Sequence, residues 1–159
     1  MTLGEKNKLR LQFLTRVIVK EVIHLSQTDQ RLFLKPFTLE QTINLENTPE
    51  LAEQVEAFVS RFGRLQDNLG DKLLPELLTA LGEKTSVVID NLDKAERLNF
   101  IASAEEWMTM RFLRNQMVHE YIEDPAILYS AILGAHHFVP KLISSANAII
   151  NEIEQRGWI

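Results

Sequence analysis

The side chains best suited to chemistry lie in one late segment, Arg111-Phe-Leu-Arg114-Asn115-Gln-Met-Val-His119-Glu-Tyr121. Arginine presents a planar fork of donors that matches phosphate oxygens, and histidine exchanges a proton near neutral pH. Asparagine and tyrosine donate or accept hydrogen bonds. Together they suit phosphodiester chemistry, which needs a base for the proton of the attacking hydroxyl and a cation for the charge on the phosphoryl oxygens. RNA carries that hydroxyl as its own 2′-OH, whereas DNA lacks it.

The distribution of charge singles out the same segment. The protein has 17 basic and 22 acidic residues and a formal net charge of −5. General coating of nucleic acid is therefore excluded, because it depends on neutralising many phosphates with Lys and Arg. The 13 residues from Trp107 to His119 nevertheless hold two arginines, one histidine and no acid. We expect any contact with nucleic acid to centre on this local basic spot.

A helix would bring the candidate residues toward one side, since successive residues turn by about 100°. Asn115 and His119 are four residues apart, hence neighbours that could hydrogen-bond and orient the imidazole. A structural interpretation is also open, in which Arg114 and His119 only hold a turn or an interface. The residues by themselves do not decide between these interpretations.

Other kinds of site are excluded or weaker. The chain has no Cys, no glycine-rich phosphate loop, no HExxH, no EF-hand ladder and no serine elbow. His136 and His137 are adjacent and diverge by about 100° on a helix, so we expect one to face solvent and the other to pack. Asp67, Asn68 and Asp71 are interpreted as a solvated face. We predict no metal and no cofactor.

The elements that must position the segment are predicted to be helical, because most long segments repeat apolar residues with the helical period. We predict an all-α fold, an up-and-down bundle of about five helices forming one domain over residues 1–159. The first helix should run from about residue 4 to 27, and Ser26 to Phe37 should form a loop. The apolar stripe of this first helix comprises Leu11, Leu14, Ile18, Val22 and Leu25, widened by Phe13 and Val17.

Start and stop signals delimit the later helices. Thr48-Pro49-Glu50 predicts a helix start, and Gly70 with Pro75 predicts a kink or break near 70–75 before a short helix that Gly82 ends. A further helix lies within Ser86 to Ile101, with one face formed by Val88, Leu92, Ala95 and Leu98 and its end near Asn99. The seam of the helix after Thr48 consists of Leu51, Val55, Phe58, Phe62, Leu65 and Leu69.

The candidate segment has its own start signal, and a long helix follows it. Ser103 to Glu106 matches a capping box, which should begin a helix over about 104–121. Asp124-Pro125 should begin the last helix, and Pro140 should bend it. The stripe of that helix consists of Leu128, Ala131, Ala135, Val139, Leu142, Ala146, Ile149 and Ile153.

Charges spread through the first 25 residues leave no continuous apolar run there. We therefore expect neither a signal peptide nor a membrane span, and we predict a cytoplasmic protein.

The sequence RNQMVHEY resembles the signature of the HEPN superfamily. That signature is an Arg followed by a polar residue, usually Asn, Asp or His, and then a His after four to six intervening positions. Tyr121 is similar in position to a tyrosine of the HepT branch, the toxin partner of a minimal nucleotidyltransferase antitoxin. The wider context SAEEWMTMRFLRNQMVHEY also resembles the nucleotidyltransferase substrate-binding subunits of the same helical group.

The resemblance implies the toxin of a toxin–antitoxin pair, a metal-independent endoribonuclease whose RNA cleft is composed at a homodimer interface. It implies that Arg114 binds the scissile phosphate, that His119 transfers protons, and that Asn115 and Arg111 support them. It also implies that the partner nucleotidyltransferase attaches AMP to Tyr121 and thereby closes the cleft.

The same resemblance leaves a second function open. This chain could be a non-catalytic substrate-binding subunit of a nucleotidyltransferase complex. It also carries an extra segment, from about Gln27 to Thr48, that the compact toxins of the family do not have. The RNA target is not implied by either reading.

Overall fold

Helices account for all the regular structure in the computed structural model, which describes residues 3–159 apart from the side chain of Ile122. The α-helices are α1 (Glu5–Leu32), α2 (Leu39–Ile43), α3 (Pro49–Asp67), α4 (Leu74–Ala80), α5 (Val88–Arg97), α6 (Ala104–Glu123) and α7 (Pro125–Gln155). A short 3-10 helix, Leu45–Asn47, precedes α3, and a π-helical turn, Asn68–Leu73, joins α3 to α4. The predicted all-α class is confirmed. The short helix α2 was not predicted.

Bonds between the four long helices fix their antiparallel order. Asn68, just after α3, donates to Glu21 of α1, and Arg114 of α6 donates to Asp67 of α3. On the other side of the bundle, Lys141 of α7 pairs with Glu106 near the start of α6. Second contacts run in the opposite order along each pair of neighbours: Arg61 donates to Thr28, Tyr121 donates to Ala52, and Leu113 lies against Gly134. The long helices therefore run up and down, as predicted.

The predicted apolar seams form the core. All eight stripe residues of α7 are buried. In the seam of α3 and the turn that follows it only Leu51 is partly exposed, while the other five residues are buried. Removing this much apolar surface from water is the main force that holds the helices together.

The first helix is longer than predicted. It continues to Leu32, because Leu25, Thr28 and Leu32 extend the buried stripe at steps of three and four. The expected loop from Ser26 to Phe37 is thus wrong over its first half. The predicted widening of the stripe is wrong at Phe13, which is 49% exposed, whereas Val17 is partly buried.

The extra segment that follows covers α7. Its buried residue Phe37 lies beside the ring of Tyr129, with centroids 6.0 Å apart. Helix α2 begins with a capping box in which the Thr38 hydroxyl accepts from the N–H of Gln41, and the Gln41 side chain accepts from the N–H of Thr38. The segment therefore adds a short layer to the outside of the bundle.

The predicted break near residues 70–75 is a π-helical turn that keeps the chain helical. The N–H of Leu74 bonds to the carbonyl of Leu69, five residues earlier. Gly70 lies against the buried indole of Trp107, where an added Cβ would come within 2.9 Å of the ring. The absence of a side chain at Gly70 thus makes room for the largest side chain of the core.

Most predicted helix ends are confirmed. Gly82 and Asn99 adopt positive φ angles of 81° and 64°, and the Asp124 carboxylate accepts from the first free N–H groups of α7. Only half of the predicted capping box at Ser103 forms, because Glu106 pairs with Lys141 instead. Leu98 was predicted to be on a buried face, which is wrong since it is exposed. Helix α7 continues through Pro140.

Helix α7 contains an 18-residue window with a mean hydropathy of 1.3, long and apolar enough to cross a membrane by composition alone. Core helices of globular proteins pass the same test. Here the apolar stripe of the helix is buried in the bundle.

The half-buried carboxyl of Glu21 generates a prediction about pH. Burial raises the pKa of Glu21, and the bond from Asn68, at 2.6 Å, lowers it only in part. The folded protein therefore binds more protons than the unfolded chain from about pH 4.5 up to the raised pKa. We expect the free energy of unfolding to fall as pH rises through this window, and Glu21→Gln to flatten that slope.

Urea denaturation at a series of pH values measures both slopes. Glu5→Gln, an exposed substitution on the same helix, is the control and should keep the wild-type slope. An unchanged slope in Glu21→Gln would show that the carboxyl is not the cause.

Candidate functional site

The candidate segment lies in α6, and buried residues decide which side of that helix faces outward. Trp107, Met110 and Met117 are buried against the bundle. Asn115 and His119, on the opposite side, are exposed. The helix therefore presents part of the predicted set to solvent, while the rest turns toward α3.

Arg114 turns toward α3 and lies across Gly63. An added Cβ at Gly63 would be 3.1 Å from Nε and 3.3 Å from Cγ of the arginine. The guanidinium donates to Asp67 at 2.9 Å through Nη2 and to Asn115 Oδ1 at 3.2 Å through Nη1, while Nε is buried without a partner. The side chain is still 36% exposed, so its outer edge is accessible to a ligand.

Arg111 makes a second ion pair one turn earlier on the helix. It donates to Asp71 at 2.9 Å. Asp67 ends α3 and Asp71 lies in the π-helical turn, four residues later. The two ion pairs are therefore neighbours that link α6 to α3 and to this turn. The acids are partly exposed, as the interpretation of a solvated face expected, but each also pairs with an arginine of the candidate segment, which was not predicted.

Asn115 and His119 do not form the hydrogen bond that their spacing allowed. The side-chain oxygen of Asn115 accepts from Arg114 instead. Within residues 3–159, the imidazole of His119 has no hydrogen bond or ion pair in the structure. It is thus free to meet a ligand, and nothing in the single chain holds its orientation.

Tyr121 is directed away from His119. The two side chains point about 160° apart around α6. The Tyr121 hydroxyl donates to the carbonyl of Ala52 at 3.2 Å. Burial, and to a lesser degree the nearby Glu56 carboxylate, raises the pKa of Tyr121. The structure brings Arg114 close to Asn115 but places the phenol at the α3 side of the helix.

Large apolar side chains share the exposed side of α6 with His119. Phe112, which lies two turns before His119, is 61% exposed, and Met108 is 39% exposed. Val118 is 54% exposed at the border with α3. These residues explain why α6 does not separate into one apolar and one polar face.

A groove of about 510 Å³ lies between α3 and α6, directly beside Arg114. Its floor is apolar and includes the buried residues Val59 and Met117. Charged side chains stand at its rim: Glu56 and Arg64 from α3, and Arg114 from α6. Glu56 and Arg64 are not among the site residues that the sequence predicts. Their signal, a polar residue every fourth position, is indistinguishable from an ordinary solvated face until the neighbouring helix is known.

The histidines of α7 behave as predicted. His136 packs on Phe33 with ring centroids 3.7 Å apart and its Nδ1 lies 2.6 Å from Asp29, while His137 is exposed. In the described part of the chain, no three His, Asp or Glu side chains lie close enough together to hold a metal ion.

Comparison with protein-family models, with curated proteins and with solved structures finds no match for this chain. The function must therefore be argued from the residues and their geometry.

Two glycines beside α6 generate a paired prediction. An alanine at position 70 would strike the buried Trp107 ring, which has no room to move, so Gly70→Ala should cost about 1–3 kcal/mol of unfolding free energy. An alanine at position 63 would meet Arg114, whose tip can swing into solvent. Because alanine also favours the helix by about 1 kcal/mol over glycine, Gly63→Ala should leave stability nearly unchanged.

Urea denaturation measures both variants, with Gly4→Ala as a control in open space. The Arg114–Asp67 pair should be lost in a crystal structure of Gly63→Ala. A cost for Gly63→Ala as large as that for Gly70→Ala would show that Arg114 is held as firmly as the tryptophan.

Proposed function

We propose that this chain is a metal-independent endoribonuclease of the HepT type, the toxin of a pair whose antitoxin is a minimal nucleotidyltransferase. Arg114 would bind the scissile phosphate, and His119 would transfer the proton of the attacking 2′-OH. Asn115 and Arg111 would support the phosphate. The proposal rests on the resemblance of RNQMVHEY to the HEPN signature and on the geometry of α6.

The observation that carries the proposal is the placement of Arg114 next to exposed, hydrogen-bonding partners. Its guanidinium donates to Asp67 on one edge and to Asn115 on the other, and these two bonds favour one orientation of the donor fork. A prepositioned cation stabilises developing charge without reorganising during the reaction. His119 lies on the same exposed side of α6 as Asn115.

The ion pair with Asp67 is weak enough for a phosphate to compete. Both side chains are more than one third exposed, and exposed pairs contribute about 0–1 kcal/mol. A phosphate carries charge that an arginine fork binds through two oxygens. Asp67 would therefore orient Arg114 without preventing it from contacting RNA.

A homodimer would complete the site. The exposed Phe112 and Met108 lie on the same side of α6 as His119, and a second copy of α6 could bury them. Such a contact would bring two copies of His119 together, each near the edge of the Arg114 guanidinium that donates to Asn115. It would also supply the surroundings that His119 lacks in the single chain. A dimer would also offset the net negative charge of the protein near the RNA, because the cations of two chains would then face the same molecule.

Cleavage of RNA tests the proposal. Purified protein should cleave RNA in the presence of EDTA, and His119→Ala should reduce the rate by about 10²-fold or more, because proton transfer by a positioned side chain contributes that much. His137→Ala, which removes an exposed histidine from α7, is the matched control and should cleave as wild type does. Equal rates in His119→Ala and wild type would reject the assignment.

Modification of Tyr121 tests the regulatory part. The phenol oxygen would attack the α-phosphate of ATP, pyrophosphate would leave, and the phenolic proton would pass to a base. Because the pKa of Tyr121 is raised and its hydroxyl is bonded to Ala52, the partner must supply that base and free the hydroxyl.

Incubation with the partner and ATP should add the mass of AMP to wild type and not to Tyr121→Phe. The other tyrosine of the chain provides the control, since Tyr129→Phe should be modified like wild type. Labelling of Tyr121→Phe would refute the role of this residue.

One observation favours the second candidate, a non-catalytic substrate-binding subunit. Both arginines of the segment are already paired with carboxylates, so the basic spot of the sequence is largely neutralised in the fold. A subunit of this kind would bind the nucleotidyltransferase stably and would leave RNA intact. The cleavage assay above separates the two candidates.

A further inference from the structure

The groove between α3 and α6 is built from two regular stripes. Its α3 wall consists of Glu56, Val59, Ser60, Gly63 and Arg64, and its α6 wall consists of Arg114, Met117, Val118 and Tyr121. Within each wall the residues are spaced three or four positions apart along the chain, or are next to a residue that is, so each wall is one face of a helix. The groove is a continuous feature of the helix pair, and its volume of about 510 Å³ is typical of small-ligand sites.

The two ends of the groove carry side chains of opposite charge. Arg64 and Arg114 stand at one end, beside Gly63, and Glu56 stands at the other end next to Tyr121. Glu56 and Gly63 are seven residues apart, which corresponds to about 10 Å along the helix axis. A mononucleotide can span this length from its phosphate to the far edge of its base.

The middle of the groove suits the flat face of a base. Val59 and Met117 form a buried apolar floor, and Val118, 54% exposed, forms the apolar border. At the cationic end, Gly63 contributes no side chain and Arg114 lies across it, so the arginine closes the floor there. Apolar surface with a few polar groups at the ends is the usual composition of a site that orients one ligand.

We propose that this groove is a nucleobase subsite, and that Glu56 makes it selective for guanine. The inference rests on the proposed function, because it takes the phosphate bound by Arg114 to belong to the same nucleotide. The base would lie on Val59 and Met117, with its Watson–Crick edge toward Glu56. Arg64 would add a second cation at the phosphate end.

Guanine is selected by the hydrogen-bonding capacity of a carboxylate. A carboxylate offers two acceptors and no donor. Guanine is the one common base whose Watson–Crick edge presents two adjacent donors, N1–H and the N2 amino group. Adenine and cytosine place an acceptor beside their amino group, and uracil flanks its single N–H with carbonyl oxygens, so each would set an acceptor against the carboxylate.

Titration of the four 3′-mononucleotides into full-length protein, followed by calorimetry, tests the inference. Wild type should bind 3′-GMP at least about tenfold more tightly than 3′-AMP, 3′-CMP or 3′-UMP, as a two-bond match to a base edge allows. Glu56→Gln should remove most of this preference, because an amide replaces one acceptor by a donor. Glu53→Gln makes the same change of charge on the same helix, outside the groove, and should keep the preference.

A second variant tests the contribution of the groove to binding independently of the Glu56 carboxylate. Val118→Trp should weaken all four nucleotides, since the exposed border residue would fill the groove without disturbing the core. Binding of the four nucleotides with equal affinity, no binding of any, or loss of preference in Glu53→Gln would each overturn the inference.

The result is distinguishable from failure of the proposed function. Nucleotide binding does not require His119, so selective binding of 3′-GMP by a protein that leaves RNA intact would reject the nuclease and retain the subsite. Cleavage of RNA without selective binding of 3′-GMP would retain the nuclease and reject the guanine subsite.

Discussion

The close approach of α6 to α3 is the constraint on which the candidate site depends. Gly63 and Gly70 are seven residues apart on α3 and the π turn, and they receive Arg114 and Trp107, which are seven residues apart on α6. Because the helices run in opposite directions, the same register places one large side chain over each glycine. Trp107, which contacts Gly70, is fully buried and fixes the register of the two helices. Arg114, which contacts Gly63, therefore lies at the surface two turns further along α6.

This register explains why the polar residues of α6 have different surroundings. Side chains on the α3 side are given partners: Arg111 and Arg114 by Asp71 and Asp67, and Tyr121 by the carbonyl of Ala52. Their neighbours about a quarter turn or more away, among them His119, are left to solvent. An arginine that is oriented but weakly paired can still accept a phosphate, because exposed ion pairs contribute little free energy. The same pairing also lowers the local positive charge, which is why a second copy of α6 matters to the proposal.

The helices themselves could be predicted well from periodicity and end signals. The stripe of α7 and the seam of α3 repeat at three and four residues with few interruptions, and burial in the bundle confirms them. The failures occurred where a contact from a distant element changed the outcome. Gly70 and Pro75 predict a break on local grounds, yet packing of Trp107 over Gly70 is accommodated by a π-helical turn. The predicted end of α1 near residue 27 is too early, because Thr28 and Leu32 are buried against neighbouring elements and continue the stripe.

The sequence alone determined the helical class, the extent of α6 and the presence of Arg, Asn, His and Tyr within eight residues, because these follow from local spacing. Only the tertiary structure decided which of those side chains acquire partners, that Asp67 and Asp71 neutralise the arginines, and that Glu56 and Arg64 share a groove with Arg114. These facts depend on the relative register of two helices that are separated by the 36 residues from Asn68 to Ser103. That register is set by the fit of large side chains onto glycines, which no local pattern records.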